Sequence, residues 1–462
     1  MMESYEEQLL PYDPELPHLQ LLLDRERIAH LLQHQFQAGL ADTSPELTGI
    51  EIERITYHRK NNCRVLYRIF MQTRGDQEQQ EEWLCAQMFA PRYAKKRFSR
   101  LWEQLANCPR PVGALSGLPS VLSMPEYDLL FWIFPADPKL QTLQQVTQSE
   151  FIGKHVATLY KGRISSKEYV MKKIKYMPLK RCVLRLQFFS DREQNGSVVL
   201  YSKTYNDGKS GHHYTMLKRA YEELTRRQGA VTIPRPVHFF EGLHTFWQEA
   251  WTGAPLMDRI NHSNVEGLLE AAGEMVARMH SIPMTGLPAA PEIDEILATA
   301  REDGLQFVHV LPHYRQVILP MLHELEAESQ KWLDQKDFAV PLHGACRIEQ
   351  MLVCDDELAL IDFDAFSVGD PHAEVGEFLA SLLHLRLTAN WTFNSIDQGG
   401  SAFLKGYSKY CPFTLDQKRL LWYIRTFMIS KIFSAVKHLD VAALSRFQSE
   451  NEQILYFWDR RL

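Results

Sequence analysis

The stretch that most constrains this chain lies in its last third: Pro341-Leu-His-Gly-Ala-Cys-Arg-Ile-Glu-Gln-Met-Leu-Val-Cys354, then Glu357-Leu-Ala-Leu-Ile-Asp-Phe-Asp364. Two apolar runs, Met351 to Val353 and Leu358 to Ile361, have the length of strands. Asp355-Asp356 between them is turn chemistry, so the segment reads as a β-hairpin. The second run leads straight into Asp362, with Asp364 two residues on, so both carboxylates are delivered to the strand's C-terminal end. Hard oxygen donors of this kind suit Mg²⁺, which takes one or two protein carboxylates and fills its octahedron with phosphates and water. The alternative is a turn carboxylate with no metal.

With 462 residues the chain has room for two or three domains, and 45% apolar with 23% charged residues is a globular composition. A net charge of −6 and a pI near 6.3 give no reason to expect a nucleic-acid partner. The seven cysteines are widely spaced without a C-x-x-C pair. That pattern supports neither a disulfide framework nor zinc and points to reduced thiols in a cytoplasmic protein. Met1-Met-Glu-Ser-Tyr-Glu-Glu lacks a signal peptide's basic and apolar regions. No apolar run nears the ~20 residues of a membrane helix, so no membrane span is expected.

The N-terminal half reads twice. An amphipathic helix over residues 19–38 precedes strands at Ile52 to Tyr57, Cys63 to Met71 and Trp83 to Phe89, and a helix near Arg97 to Leu105. The order recurs as Ile174 to Tyr176, Cys182 to Phe189, Val198 to Tyr205 and a helix from about His212 to Arg227. Ile55 and Ile174, Tyr57 and Tyr176, Cys63 and Cys182, Trp102 and Tyr221, and Leu105 and Leu224 all stand 119 apart. A constant offset with one element order predicts two tandem sheet-plus-helix lobes.

The hairpin region resembles the phosphotransferase family of aminoglycoside phosphotransferases and choline kinases, whose fold is like that of protein kinases. His343, Gly344, Gln350 and Asp362 match its His-Gly-Asp…Asn/Gln and Ile-Asp-Phe blocks, and Gly369-Asp-Pro follows as is typical. The resemblance covers about 300 residues, roughly 165 to 462. It implies an α+β, kinase-like two-lobe fold, with ATP and Mg²⁺ as cofactors and a small-molecule hydroxyl as acceptor. His343, Gln350 and Asp362 are then the catalytic positions, with Gln350 and Asp362 the metal ligands. The family's catalytic Asp is replaced by Ala345. A methyl group cannot accept the acceptor's proton or position its hydroxyl. Two functions therefore stay open: a phosphotransferase, or a catalytically weak or inactive nucleotide-binding pseudokinase with a regulatory or scaffolding role.

By the same resemblance, Lys203 is the lysine that meets the nucleotide's phosphates, and Gln87 holds its place in the first copy. Lys203 is the one cation in an apolar strand, and an unpartnered buried ammonium is costly. Glu222, which aligns with Glu103 in the first copy, is the expected partner. The other reading has Lys203 snorkelling to water at a strand edge. Lys180 and Arg181, in a glycine-free loop between two strands, either cover the phosphates as charges or form a solvated hairpin. Glu249 and Trp251 mark the hinge strand of an adenine pocket. His343 is read either as catalytic or as a structural histidine bonded to backbone.

From Leu256 on, helices dominate. Ser263-x-x-Glu266 reads as a capping box, Asp370-Pro371 as an N-cap with a first-turn proline, and Leu415 to Leu439 and Val441 to Phe457 as two closing helices. The acidic run Glu292 to Asp303 reads as a solvated helix face or as a surface for a cationic sugar. The expected domains are 1–160, a degenerate N-lobe-like repeat available to a protein partner; 161–254, the N-lobe; and 255–462, the helical C-lobe.

Overall fold

The structure is a computed structural model that describes residues 13–40, 45–72, 79–106, 108–111, 115–161, 164, 168–189, 197–206, 208–227, 229, 231–261, 263–333, 339–355 and 357–462. Strands β1 (Glu46–His58), β2 (Asn62–Gln72), β3 (Gln79–Phe89), β4 (Val121–Met124) and β5 (Leu129–Ile133) form an antiparallel sheet in the order β1-β2-β3-β5-β4. A second sheet repeats that order, β6-β7-β8-β10-β9, from β6 (Tyr169–Met177), β7 (Arg181–Phe189), β8 (Ser197–Tyr205), β9 (Pro236–Phe240) and β10 (Thr245–Glu249). Helix α1 (Arg25–Leu40) precedes the first sheet, and α2 (Pro91–Ala106) follows its third strand. In the second unit α3 (Ser149–Leu159) and α4 (Ser210–Ala220) hold the corresponding places.

The register repeats as well. Tyr57 faces Cys63 and Tyr176 faces Cys182; one residue further on, Arg64 faces Gln87 and Val183 faces Lys203. Gln87 therefore occupies the sheet position of Lys203. The spacing between those two is 116, not 119, because the path from Cys182 to the third strand of the second sheet is three residues shorter than its counterpart from Cys63. Four residues between β8 and α4, against one between β3 and α2, restore the offset at Pro91 and Ser210.

The two sheets pack face to face. Alternation on β7 buries Cys182, Leu184, Leu186 and Phe188 and turns Arg185 and Gln187 outward, the period-2 pattern of a half-buried strand. Those side chains share one core with Trp83, Leu130 and Trp132 of the first sheet. Trp83 stacks on Tyr176 at 5.9 Å, and Tyr176 accepts from Trp132 Nε1 at 3.1 Å and donates to Asp137 at 2.7 Å. Each fully buried large apolar side chain contributes about 1.5–3 kcal/mol, so the first sheet is bonded to the second by a core and not by a linker.

The rest is helical: α5 (Val265–His280), α6 (Ile293–Val310), α7 (Arg315–Ser329), α8 (Pro371–Thr388), α9 (Phe393–Tyr410), α10 (Gln417–Lys437) and α11 (Val441–Leu455). Embedded among them are β11 (Ala254–Pro255), the hairpin β13 (Met351–Cys354) and β14 (Glu357–Leu360), and the pair β12 (Val340–Leu342) and β15 (Ser367–Gly369). Asp355 takes a left-handed turn at φ 50°, as the turn chemistry requires, while Asp356 lies outside the described residues. Asp370 caps α8 through the His372 amide at 2.9 Å.

Three expectations are corrected. The first helix breaks at Asp24, which is extended, so Leu19–Leu23 and α1 are separate. Ser263 does not cap α5: its hydroxyl bonds the Asn261 side chain, and Asn264 holds the cap position without a side-chain cap bond. The capping box forms at α6, between Glu292 and Glu295, so part of the acidic run satisfies helix amides. The helix from Ser210 also gives way to a π-helical turn over Tyr221–Arg227.

Candidate active site

Asp362 sits just past β14 in the left-handed conformation, φ 73° and ψ 55°. A non-glycine residue held there is strained. The twist turns its carboxylate to the crevice between the second sheet and the helical lobe. Lys203 Nζ, from the third strand of that sheet, donates to Asp362 Oδ1 at 3.0 Å. Gln350 Nε2 stands 3.5 Å from Oδ2, and Arg181 reaches Asp362 at 3.5 Å and Asp364 at 3.3 Å. Tyr205 donates to Asp364 at 2.7 Å. Lys203 is 8% exposed, and the Phe246 ring lies 5.8 Å from its ammonium.

Charge pairing outweighs burial here. Burial alone would raise the Asp362 carboxyl, but Lys203 and Arg181 hold it well below the usual carboxylate range. Burial alone would lower the Lys203 ammonium, and Asp362 with Asp364 raises it. Both groups are thus ionised at neutral pH.

A cavity of about 300 Å³ opens beside this cluster. Ile174, Val183, Tyr201, Trp251, Leu352 and Ile361 wall it, and Lys203, Gln350 and Asp362 close one end. An apolar slot ending in a few charged groups is the usual form of a small-ligand pocket.

The loop between β12 and β13 is held from below. Gly344 runs at φ +80°, and a Cβ there would stand 2.2 Å from Ala365 O. The Glu374 carboxylate of α8 accepts from the His343 and Gly344 amides at 3.0 and 2.7 Å. His280 bonds Glu374 at 2.8 Å and Tyr407 at 2.8 Å. Glu374, His280 and Tyr407 clamp the loop, and sequence reading missed all three as a unit. Their only signal was polar residues within otherwise apolar helix faces.

The remaining candidates separate. His343 is fully buried, bonded to Ile361 O at 2.9 Å and packed on Phe363 at 4.7 Å. Burial lowers its pKa; the ring braces the loop and does not face the cavity. Ala345 is half-buried and brings no polar side-chain atom to the site. Glu222 does not pair with Lys203. The N-terminal part of α4 meets the backbone of Asp364, with His213 Nδ1 3.1 Å from Asp364 O, and Glu222 comes nine residues later, about 13 Å along the axis. Asp362 takes its role. Glu249 lines the cavity, but its carboxylate is engaged by Arg235 and by Tyr160 at 3.0 Å, and its amide by Arg235 O at 2.8 Å. Arg181 joins the carboxylates, whereas Lys180 is exposed and lines a different space.

Residues 202–419 match the family model described as phosphotransferase enzyme family. No curated protein matches the chain. Among solved structures it is similar to aminoglycoside phosphotransferase APH(3'')-Id from Streptomyces rimosus, at 16% identity over 56% of this chain and 92% of that one, TM-score 0.40. It is also similar to a choline kinase from Cryptosporidium parvum, at 12% identity over 66% and 96%, TM-score 0.45. A third is choline kinase LicA from Streptococcus pneumoniae, at 11% over 66% and 98%, TM-score 0.43. The matched residues run from the third strand of the second sheet to the start of α10.

Proposed function

We propose, from the premise that residues 202–419 form a phosphotransferase-family module of kinase-like fold, that the protein binds ATP with Mg²⁺ and transfers its terminal phosphoryl group to a small-molecule hydroxyl. The observation that carries this reading is the convergence of Lys203, Gln350 and Asp362 at one end of an apolar cavity of about 300 Å³. The base enters the slot beside Trp251, and Lys203 takes the phosphates.

A Mg²⁺ ion fits the donors: the Asp362 carboxylate, the Gln350 side-chain oxygen once its amide is turned, and Asp364 nearby. Bound there, the ion neutralises charge on the phosphate oxygens. Arg181 now supplies positive charge to both carboxylates and would be displaced toward the phosphates.

In the reaction the acceptor oxygen bonds to the terminal phosphorus while the bond to the bridging oxygen breaks and ADP leaves. Because the transition state is loose, positioning and charge stabilisation supply most of the rate, and the transferred group's own oxygens can take the proton late. Ala345 makes that step slow without removing the site. The same residue supports the second reading, a nucleotide-binding pseudokinase in which the first lobe serves a partner.

ATP turnover to ADP by the wild type and by Ala345→Asp separates the two. The transferase reading expects slow Mg²⁺-dependent turnover that rises at least about tenfold in the variant. No turnover in either protein, with ATP still bound, would leave the pseudokinase reading standing.

A further inference from the structure

In front of the carboxylates lie two adjoining cavities of about 550 and 240 Å³, which share Thr56, Arg64, Met177 and Lys180 in their walls. One wall is the first sheet (Arg54, His58, Arg64), another is the β6–β7 hairpin (Lys180), and the third is the end of α10 (Lys437, His438). His438 bonds Ile55 O at 2.5 Å, so α10 is fastened to β1 and closes the groove on that side. Arg181, Asp364 and Tyr205 form its inner end.

The groove carries uncompensated positive charge. Among the described residues Arg54, Arg64, Lys180 and Lys437 form no ion pair within 4.0 Å. Surface lysines elsewhere do: Lys405 reaches Glu270 at 2.9 Å and Lys409 reaches Glu274 at 2.9 Å. Asp303 and Asp364 are the only acids in the two linings. Partial burial first, then the neighbouring cations led by Lys437 and Arg64, lowers the pKa of Lys180 and His58. Gln87, at the sheet position of Lys203, accepts from Arg64 Nε at 2.7 Å and so holds that guanidinium beside the hairpin.

We infer that this groove is a binding site for a small molecule already bearing phosphate groups, which it presents to the Asp362–Asp364 centre as acceptor; the acceptor role rests on the phosphotransferase reading above. Arg54, Arg64, Lys180 and Lys437, four cations without an acid partner around cavities of this size, would repel a cationic acceptor and would leave a neutral sugar's surroundings unbalanced. A multiply charged anion satisfies them through charge-assisted hydrogen bonds. A nucleic acid is disfavoured by the groove's three enclosing walls and by the chain's net charge of −6. The first sheet then has a direct purpose: it supplies half of the acceptor site.

Calorimetric titration of the full chain with fructose 1,6-bisphosphate, against fructose and glucosamine, tests the inference, with Arg54→Ala and Lys437→Ala as variants. The bisphosphate is expected to bind where fructose and glucosamine do not, about tenfold more weakly in each variant, with Mg-ATP affinity unchanged. Its affinity should also fall steeply as NaCl rises from roughly 50 to 300 mM, a readout on the wild type that does not depend on the variants folding. Binding no stronger than fructose's, or equal in wild type and variants, would overturn the site. Loss of ATP affinity in the variants to the same extent would overturn its separateness from the nucleotide cleft. Bisphosphate binding without any ATP binding would support the groove and overturn the phosphotransferase reading instead.

Discussion

Lys203 and Asp362 are separated by 159 residues and meet at 3.0 Å with little exposure to solvent. Removing one member of such a pair leaves the other buried and costs about 3–5 kcal/mol. Arg181 remains beside Asp362, so Lys203→Met is expected to cost about 3 kcal/mol in denaturant unfolding and to weaken ATP binding at least about tenfold. The sign with pH follows from the depressed Asp362 carboxyl. The unfolded chain binds the proton first, so the pair's stabilisation is present above about pH 4 and is lost as pH falls below it. Urea midpoints measured from pH 6 to pH 3 should drop more steeply for the wild type than for Asp362→Asn. His384 adds to acid sensitivity: burial, with Lys431 and Arg347 nearby, lowers it to about 4. Folding therefore loses stability as pH falls from about 6.5 toward 4, and His384→Gln should remove that part of the slope. Sequence made the Asp362 position legible because apolar residues run straight into it. It pointed Lys203 to Glu222 through the alignment with Glu103, and an internal offset does not report what another lobe presents to a strand.

At the scale of elements, the hairpin β13–β14 and strands β6, β7, β8 and β10 of the second sheet were readable from alternation and turn chemistry, with ends moved by a few residues, whereas β9 was not. The α5–α9 contact was not. Gly273 and Gly406 are ordinary helix residues in sequence, yet a Cβ on Gly273 would lie 2.0 Å from Phe403 O, and one on Gly406 would lie 1.9 Å from Glu270 O. The two helices touch backbone to backbone, and the α5 end carries His280 to Glu374 under the His343–Gly344 loop. Gly406→Ala is expected to destabilise the chain by about 1–3 kcal/mol through overpacking, read as a fall in the thermal midpoint. A comparable fall from Gly267→Ala, where a Cβ meets nothing within 4 Å, would contradict that account. The π-helical turn at Tyr221–Arg227 likewise had no sequence signature. It ends the helix whose register would otherwise have continued past Glu222.

For the whole molecule, the 119-residue offset and the shared strand order made two similar sheets legible, and β-register places Gln87 where the second sheet has Lys203. Sequence could not say that the sheets share a core through Trp83, Trp132 and Tyr176, because periodicity marks a buried face without naming what covers it. The basic groove was hidden for the same reason, since its cations come from three segments far apart in the chain. Among the described residues no helix is long and apolar enough to cross a membrane. The proposed nucleotide site of Lys203, Gln350 and Asp362 is tested most directly by a thermal-shift titration of the full chain with ATP, with and without Mg²⁺. A ligand bound only by the folded state at 100 times its Kd adds about 2.7 kcal/mol. The midpoint should rise with ATP, rise further with Mg²⁺, and lose the Mg²⁺ increment in Asp362→Asn. No rise at any ATP concentration would contradict the account.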